Sequence, residues 1–302
     1  MMGPRASDRG TMKKPGSVSR PSAVGVRKGA DTLPTVMPTV TEIAHGVFSF
    51  GPWGRTQTVV YFVRSALSWV LIDAGWPGDG PMIAHAAGTV FGADTRPEGI
   101  LLTHDHPDHE GDALQLAKQW GCPVYLHPQE LPIARRDFAA MRSTAMPMDR
   151  WLVLPLLQSM GRRRREAIFA RASLGSVAVG VTPGAPVPHL PDWQCVATPG
   201  HTIGHVSFFR RADRVLISGD ALVTAKIDTI SNLLLRRDGL SGPPWYTTWK
   251  REAAHASMVA LARLRPLVLA GGHGTPMTGA DTPQRVAAFV GIMDDESESR
   301  AD

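Results

Sequence analysis

The chain has 302 residues, of which 43% are hydrophobic and 20% charged, a balance that allows a well-buried core. Its longest apolar stretches, such as 151–157 and 267–270, are far shorter than the roughly 20 residues that a membrane-spanning helix needs. The first residues lack the apolar run of about 7–15 residues that is typical of a secretory signal. Composition therefore argues against a membrane-spanning protein, and we expect a cytoplasmic protein without a membrane partner.

The net charge of +5 is unevenly distributed along the chain. Residues 1–30 hold seven Lys or Arg residues and one acidic residue, whereas the remainder holds 25 basic and 26 acidic residues. We therefore predict a disordered basic tail over residues 1–34 and one folded domain over residues 35–302. No aromatic residue interleaves the charges of residues 1–30. A solvated extension is thus favoured over a weak nucleic-acid or membrane contact.

Strand and helix patterns alternate after the tail. β-branched and alternating residues predict strands at 46–50, 58–63 and 68–73, a helix near 81–90, a strand at 100–103, a helix near 111–120 and a strand at 124–127. A helical pattern then runs from residue 130 to about 169. The rest predicts strands at 194–197, 205–210 and 215–218, a helix near 250–264, a strand at 267–270 and a helix after Asp281. Strands with flanking helices in both halves predict two packed sheets with helices outside.

Residues 103–111 carry the strongest functional pattern, THDHPDHEG, between a predicted buried strand and a predicted helix. His104 and His106 are two residues apart on an extended segment, so their side chains can point the same way and share a metal ion. Asp108 and His109 lie farther along the loop and point toward a neighbouring position. Helix capping would explain one aspartate of this loop, but it would not explain three imidazoles. One loop can thus begin two metal sites.

Further candidate ligands follow predicted strands downstream, at His201 in TPGH, Asp220 in SGD and His273 in GGHG. Each has a neighbouring glycine, which lets the backbone turn sharply and an ion approach closely. Tyr246 lies in the loop between Asp220 and His273, where its hydroxyl could reach the same cleft as an oxyanion donor. His205 is better explained as a hydrogen-bonded core residue than as a further ligand. Neither cysteine, at 122 or 195, has metal-ligand spacing.

The motifs LIDAG (71–75), THDHPDHEGD (103–112), TPGHTIGHVSF (198–208), SGDAL (218–222) and GGHG (271–274) resemble those of the metallo-β-lactamase superfamily, particularly its glyoxalase II-like hydrolase branch. The resemblance implies an α/β fold, an αββα sandwich of two mixed β-sheets with helices on the outer faces. One metal ion would be held by His104, His106 and His201. A second would be held by Asp108, His109 and His273. Asp220 would bridge the two ions, and Asp73 would orient a ligand histidine.

The same resemblance implies a metal-dependent hydrolase with two Zn²⁺ ions, although aspartate and histidine also suit iron and manganese. A metal-bridged hydroxide, with Asp108 in the catalytic centre, would cleave an ester, thioester or lactone of a small molecule. Zinc β-lactamases of the superfamily lack the bridging aspartate, so Asp220 argues against antibiotic hydrolysis. Only 29 residues follow His273, which leaves little counterpart to the glutathione-binding extension of glyoxalase II.

Three other functions are compatible with parts of the pattern. An iron-dependent persulfide dioxygenase resembles this family in fold and ligand motifs. A nuclease is suggested by the basic tail and the run Arg162–Arg165, but the near-neutral remainder is a poor phosphate-binding surface, and we expect no nucleic-acid partner. A noncatalytic binding protein would not need all seven candidate ligands.

A mostly helical insert over about 131–190 separates the first motif from His201 and is predicted to cover the metal cleft. An acyl pocket could be lined by its apolar residues, which are Trp151, Leu152, Leu154, Leu156, Leu157 and Met160. The run Arg162–Arg165 would then face solvent or an anionic group. The alternative is that the same residues pack two helices together for stability alone.

Overall fold

A computed structural model of the protein describes residues 37–66 and 68–299, except for the side chains of residues 230 and 292–299. The basic tail predicted over residues 1–34 lies outside the described residues. Within the described ranges, no helix combines the length and the apolar character needed to cross a membrane.

The first sheet has seven strands in sequential order. They are β1 (Val40–Ala44), β2 (Val47–Trp53), β3 (Thr58–Ser65), β4 (Ser68–Ile72), β5 (Gly99–Leu101), β6 (Val124–Leu126) and β7 (Ala178–Gly180). Strands β1–β4 pair antiparallel, whereas β4–β7 pair parallel. Because the carboxyl ends of the parallel strands meet at one edge, the loops after β4 and β5 lie side by side there.

The second sheet has five strands in the spatial order β14-β11-β10-β9-β8. They are β8 (Pro186–Val187), β9 (Leu190–Ala197), β10 (Val206–Arg210), β11 (Val215–Gly219) and β14 (Val268–Gly271). Only β11 and β14 pair parallel within this sheet. A separate two-stranded ribbon is formed by β12 (Val223–Ala225) and β13 (Asp238–Ser241).

The helices lie mostly in the connections between strands. They are α1 (Gly80–Phe91), α2 (Ala113–Trp120), α3 (Leu131–Ala134), α4 (Phe138–Ser143), α5 (Leu154–Ser159), α6 (Arg162–Ala172), α7 (Ile230–Leu235), α8 (Arg251–Arg263) and α9 (Thr282–Ser299). A π-helical turn at Asp149–Val153 precedes α5, and a 3₁₀ turn lies at Trp245–Thr247.

Successive side chains of β3 point to opposite faces of the first sheet and pack in two different apolar clusters. Val60 and Phe62 pack in one apolar cluster with residues of α1 and α2. Tyr61 and Val63 point the other way and pack with strands of the second sheet, including Phe208. A further apolar cluster joins α8 and α9 to the second sheet. A fully buried side chain of this size contributes about 1.5–3 kcal/mol to the free energy of folding. The three apolar clusters therefore hold the sheets and the helices together. The predicted αββα sandwich is confirmed.

Several elements differ from the sequence prediction. The helical part of the insert ends at Ala172, and the remainder of the insert completes the edges of the two sheets with residues 178–180 and 186–187, where no strand was predicted. These strands, together with β12, have only two or three residues, too few to show an alternating pattern. Strand β1 was also not predicted, and most of its residues are only partly buried.

Candidate metal centre

Asp73 lies directly after β4, at the edge where the parallel strands end. Its backbone is left-handed, with φ 60°. Its Oδ1 accepts a hydrogen bond from the backbone N–H of Thr103 at 2.8 Å, and its Oδ2 accepts one from the Thr103 hydroxyl at 2.9 Å. The backbone N–H of Asp73 donates to the Leu101 carbonyl at 2.9 Å. These bonds fix the start of the histidine-rich loop against β4.

The His109 ring is held by the same carboxylate. Its Nδ1 lies 2.8 Å from Asp73 Oδ2, which leaves Nε2 facing Asp220 Oδ1 at 3.3 Å. Both His109 and Asp73 are buried, so water does not compete for the hydrogen bond. Asp73 therefore orients this histidine, which is the arrangement found around metal-bound imidazoles.

His201, Asp220 and His273 each follow a strand of the second sheet. Asp220 and His273 lie close together because β11 and β14 are parallel neighbours, with Gly219 paired to Gly271. The Asp220 backbone N–H donates to His205 Nε2 at 3.1 Å, so His205 is a buried hydrogen-bonded residue, as expected.

Glycine is required at Gly200, which precedes His201. Its φ is +134°, and a Cβ there would lie 2.0 Å from the backbone nitrogen of Ala254 in α8. The loop of His201 can therefore approach α8 closely. Backbone hydrogen bonds to the carbonyls of Gly200 and His201 come from Lys250 and Trp249, each at 2.9 Å.

The structure brings all seven candidate ligands together in three overlapping groups. These groups are His104, His106 and His201; His104, His109 and Asp220; and Asp108, His109 and His273. Within each group, the potential ligand atoms lie within 4.8 Å of one another. Asp220 stands between the groups, because its Oδ2 lies 3.2 Å from His201 Nε2 and its Oδ1 lies 3.3 Å from His273 Nε2.

The chemistry of these atoms fits a bound cation. Among the described residues, the buried side-chain atoms without a hydrogen-bond partner include His104 Nε2, His109 Nε2, both ring nitrogens of His201 and Asp220 Oδ1. Buried polar atoms are rarely left unpaired in proteins. Two atoms bound to a tetrahedral zinc at about 2.0–2.1 Å lie about 3.3–3.4 Å apart, close to the spacings around Asp220.

Burial and neighbouring charges set the protonation of the cluster. Burial, followed by the adjacent imidazole of His109, holds the pKa of His104 well below its usual value, so its ring is neutral and can donate a lone pair. Burial opposes ionisation of Asp220, but His273 and His109 hold the pKa of its carboxyl well below the usual value. Burial alone would lower the pKa of His273, but Asp220 raises it. The Asp220 carboxylate therefore attracts the imidazoles of His109 and His273.

Glu130 connects the two ligand loops and was not singled out from the sequence. Its Oε1 accepts hydrogen bonds from the Thr202 hydroxyl at 2.7 Å and from the Gly204 N–H at 2.6 Å. Its Oε2 accepts one from the Asp105 N–H at 3.2 Å. This carboxylate thus ties the loop of His104 to the loop of His201.

Arg136 forms a second polar cluster beside the centre. Its guanidinium lies 3.2 Å from Asp105 Oδ2 and also forms an ion pair with Glu110. Burial, followed by the neighbouring Asp105, raises the pKa of Glu110 to about 8. The sequence placed Asp105 in the motif, but nothing in the spacing indicated that Arg136 would pair with it.

Tyr246 lies in the wall of a cavity that also includes Asp108, Asp220 and His273, and its contact with a substrate stays a prediction. Its hydroxyl donates a hydrogen bond to the Ile227 carbonyl at 3.2 Å. Burial, followed by Asp108 and Asp220, raises the pKa of this hydroxyl, which therefore keeps the proton that it donates to the Ile227 carbonyl.

A two-sheet sandwich with a His/Asp cluster along one edge defines a class of protein, and comparison with known proteins identifies it. A family profile for the metallo-β-lactamase superfamily matches residues 53–273, and the chain belongs to this superfamily. The probable metallo-hydrolase YflN of Bacillus subtilis (strain 168) is 36% identical over 227 residues, covering 73% of this chain and 81% of that protein.

Two further comparisons are more distant. A hydroxyacylglutathione hydrolase of Pseudomonas putida (strain W619) is 32% identical over 130 residues, covering 42% of this chain and 34% of that protein. The crystal structure of a metallo-β-lactamase family protein from Thermus thermophilus matches with a TM-score of 0.60 at 22% identity. That match covers 85% of this chain and 82% of the other, and it supports the fold alone.

Proposed function

We propose that this protein is a hydrolase that binds two metal ions and cleaves an ester, thioester or lactone of a small molecule. The position of Asp220 carries the proposal, because its two carboxylate oxygens face different groups of histidines. One group would consist of His104, His106 and His201, and the other of Asp108, His109 and His273. Seven ligands exceed what one tetrahedral or octahedral ion would take.

Some residues of the site would bind the metal ions, and others orient the histidines that would bind them. When bound, the ions supply Lewis-acid polarisation of a carbonyl group and lower the pKa of a coordinated water. Asp73 holds His109, and the Thr56 carbonyl accepts a hydrogen bond from His273 Nδ1 at 2.8 Å, so both rings present Nε2 to the site. The Tyr246 hydroxyl on the cavity wall would be a donor to a developing oxyanion once its proton turned away from the Ile227 carbonyl.

The cavity wall also favours hydrolysis by an activated water. Among the described residues that line it there is no serine or cysteine that could act as a covalent nucleophile. The similarity to a relative named as a metallo-hydrolase, of which the chain covers 81%, supports the reaction class. The similarity to hydroxyacylglutathione hydrolase covers only 34% of that protein and gives no separate support for glutathione thioesters.

Zinc is the preferred metal in this proposal, because four-coordinate histidine and carboxylate sites suit Zn²⁺. Iron and manganese accept the same ligands, so the experiment must also identify the bound metal. The chain is purified without added metal and then after incubation with Zn²⁺, Fe²⁺ or Mn²⁺. Metal per chain is counted by plasma mass spectrometry, and turnover is measured on a panel of esters, thioesters and lactones.

Asp108→Ala and His273→Ala are compared with the control His85→Ala, because His85 is exposed on α1 and lies outside the three ligand groups. We expect two ions per chain in the protein and in the control, and a lower count with little turnover in both site variants. One ion at saturation with full activity would contradict the binuclear proposal. Oxygen uptake with a persulfide substrate, without hydrolysis of the panel, would instead support a dioxygenase.

A further inference from the structure

A cavity of about 530 Å³ adjoins the candidate metal centre. Its inner end is lined by His106, Asp108, Asp220 and His273. The size lies within the range of about 300–1,000 Å³ that is typical of small-molecule sites. The cavity is therefore large enough to hold a substrate whose reacting group lies at the cluster.

The outer wall of this cavity is apolar and comes largely from the helical insert. Its side chains include Met141, Met146, Leu154, Ile168 and Phe169. Met146 joins the wall to the centre, because its sulfur lies 3.3 Å from His106 Nε2. The apolar surface is thus continuous with the cluster, and a bound molecule can contact both at once.

Of the apolar insert residues expected from the sequence to line an acyl pocket, Leu154 alone does so among the described residues. Leu154 lines the cavity and is 8% exposed, whereas Leu152 and Leu156 point outward and are 63% and 60% exposed. Trp151 is 84% exposed and does not line the cavity either. The predicted acyl surface is therefore corrected: Leu154 is retained, and the other wall residues of the insert include Met141, Met146, Ile168 and Phe169.

The charged groups of the wall disfavour an anionic ligand. Arg136 is the only lysine or arginine among the described lining residues, and it is already paired with Asp105 and Glu110. The other ionisable wall residues, beyond the candidate ligands and this ion-pair cluster, are Glu130, Asp149 and Tyr246, none of which is a cation. A carboxylate or phosphate in the outer cavity would thus meet acidic groups and no unpaired cation.

We infer that the substrate carries a neutral, apolar acyl or alkyl group that occupies this cavity, with Leu154 and Ile168 among the residues that set the preferred chain length. The position of the cleaved bond rests on the proposed hydrolase function, whereas binding of the apolar group does not. Each methylene buried in such a wall contributes about 0.8 kcal/mol, which corresponds to roughly a fourfold gain in affinity.

The first test measures binding without turnover. Linear primary amides from acetamide to octanamide are titrated into the full-length, metal-loaded protein by isothermal titration calorimetry. We expect affinity to rise roughly fourfold per methylene until the cavity is filled. Adipamic acid, which places a carboxylate at the far end of a six-carbon chain, should bind more weakly than hexanamide.

Matched variants locate the site. Leu154→Ala removes a wall residue of α5, and Leu156→Ala removes an exposed leucine of the same helix. Ile168→Ala and Leu152→Ala form a second pair, in which Ile168 lines the cavity but is 41% exposed, so its loss should leave the fold intact. We expect at least a fourfold loss of octanamide affinity in each wall variant, no change for acetamide and no change in the controls. Thermal unfolding is measured for all four.

Failure of this inference can be distinguished from failure of the proposed function. Affinity that is independent of chain length, tighter binding of adipamic acid, or equal losses in folded wall and control variants would overturn the inference, even if esters were hydrolysed. Length-dependent amide binding with no hydrolysis of any ester, thioester or lactone would support the apolar site and contradict the hydrolase function. If Leu154→Ala unfolds, the Ile168→Ala pair decides the outcome.

Discussion

Asp73 and His109 form a hydrogen bond of 2.8 Å between Oδ2 and Nδ1, and both side chains are buried. The Nδ1 side of the His109 ring is held by this carboxylate, so Nε2 is the ring nitrogen that faces the cluster and would bind a metal ion. The loop between β4 and α1 thus determines how a residue of the next loop, 36 positions along the chain, meets the candidate metal centre.

The first prediction concerns that hydrogen bond. Asp73→Asn should lower metal affinity by about 10–100-fold, because the ring of His109 loses its charged partner and fixed orientation. Metal affinity is measured by competition with a chromophoric chelator. Asp79→Asn is the control, since Asp79 accepts hydrogen bonds from Trp53 and Trp76 but contacts no candidate ligand. Equal affinities for both variants would show that Asp73 has no orienting role.

The second prediction concerns the close approach of Gly272 to the cluster. A Cβ at this position would lie 2.5 Å from His109 Cε1 and 2.6 Å from Asp220 Oδ1. Gly272→Ala must therefore displace both side chains, and we expect fewer than two ions per chain by plasma mass spectrometry. Gly88→Ala on α1 is the control, because a Cβ there would lie 3.6 Å from Ala93 Cα, an ordinary van der Waals contact. A full metal complement in Gly272→Ala would be incompatible with the proposed ligand set.

The third prediction is a pH dependence that comes from Glu130. Burial, followed by the neighbouring Asp105, raises its pKa from 4.5 to about 7. The unfolded chain releases this proton near pH 4.5 and the folded chain only near pH 7. Stability is therefore greatest below this window and falls as the pH rises through it.

Between about pH 5 and pH 8 the free energy of unfolding of the protein should fall, relative to Glu130→Gln, by roughly 2–3 kcal/mol. Urea unfolding of both proteins at the two pH values, with a chelator present, gives this difference. The subtraction cancels the titration of the histidines, which both proteins share. An unchanged difference would show that Glu130 is ionised throughout the range.

The fourth prediction concerns the two thiols. Burial raises the pKa of Cys122 to about 11 and that of Cys195 to about 12. At about pH 8 fewer than about one in 500 of either thiol is ionised, so a disulfide reagent such as Ellman's reagent should react slowly with the folded protein. Both should react at once in guanidinium chloride. Rapid release of one chromophore per native chain would show that a thiol is accessible and activated.

The sequence was most informative where ligands share a loop or follow strands. His104, His106, Asp108 and His109 lie within six residues, so their proximity needs no knowledge of the fold. Asp220 and His273 were identified from glycines that end strands. What the sequence could not indicate is the role of Glu130, whose hydrogen bonds reach Thr202 and Gly204, 72 and 74 residues away. Such contacts depend on how the sheets pack.

The apolar wall of the cavity shows a second limit of prediction from the sequence. The π-helical turn at Asp149–Val153 has more residues per turn than an α-helix, so the periodicity of about 3.6 is interrupted just before α5. A helical pattern extended through this turn therefore does not show which of the following leucines face the cavity. Leu154 lines the cavity while Leu156 is exposed, a difference that depends on backbone geometry rather than on hydrophobicity.

The cluster lies on the seam between the two sheets, where Val59 N–H donates to the Gly272 carbonyl at 2.9 Å and Gly274 N–H donates to the Gln57 carbonyl at 2.8 Å. A ribosome releases residues 57–59 long before their partners at 272–274. The first sheet can begin to form during translation, but the group containing His273 cannot assemble until that residue has left the exit tunnel. Under the proposed function, metal binding to this group would therefore follow synthesis of nearly all the described chain.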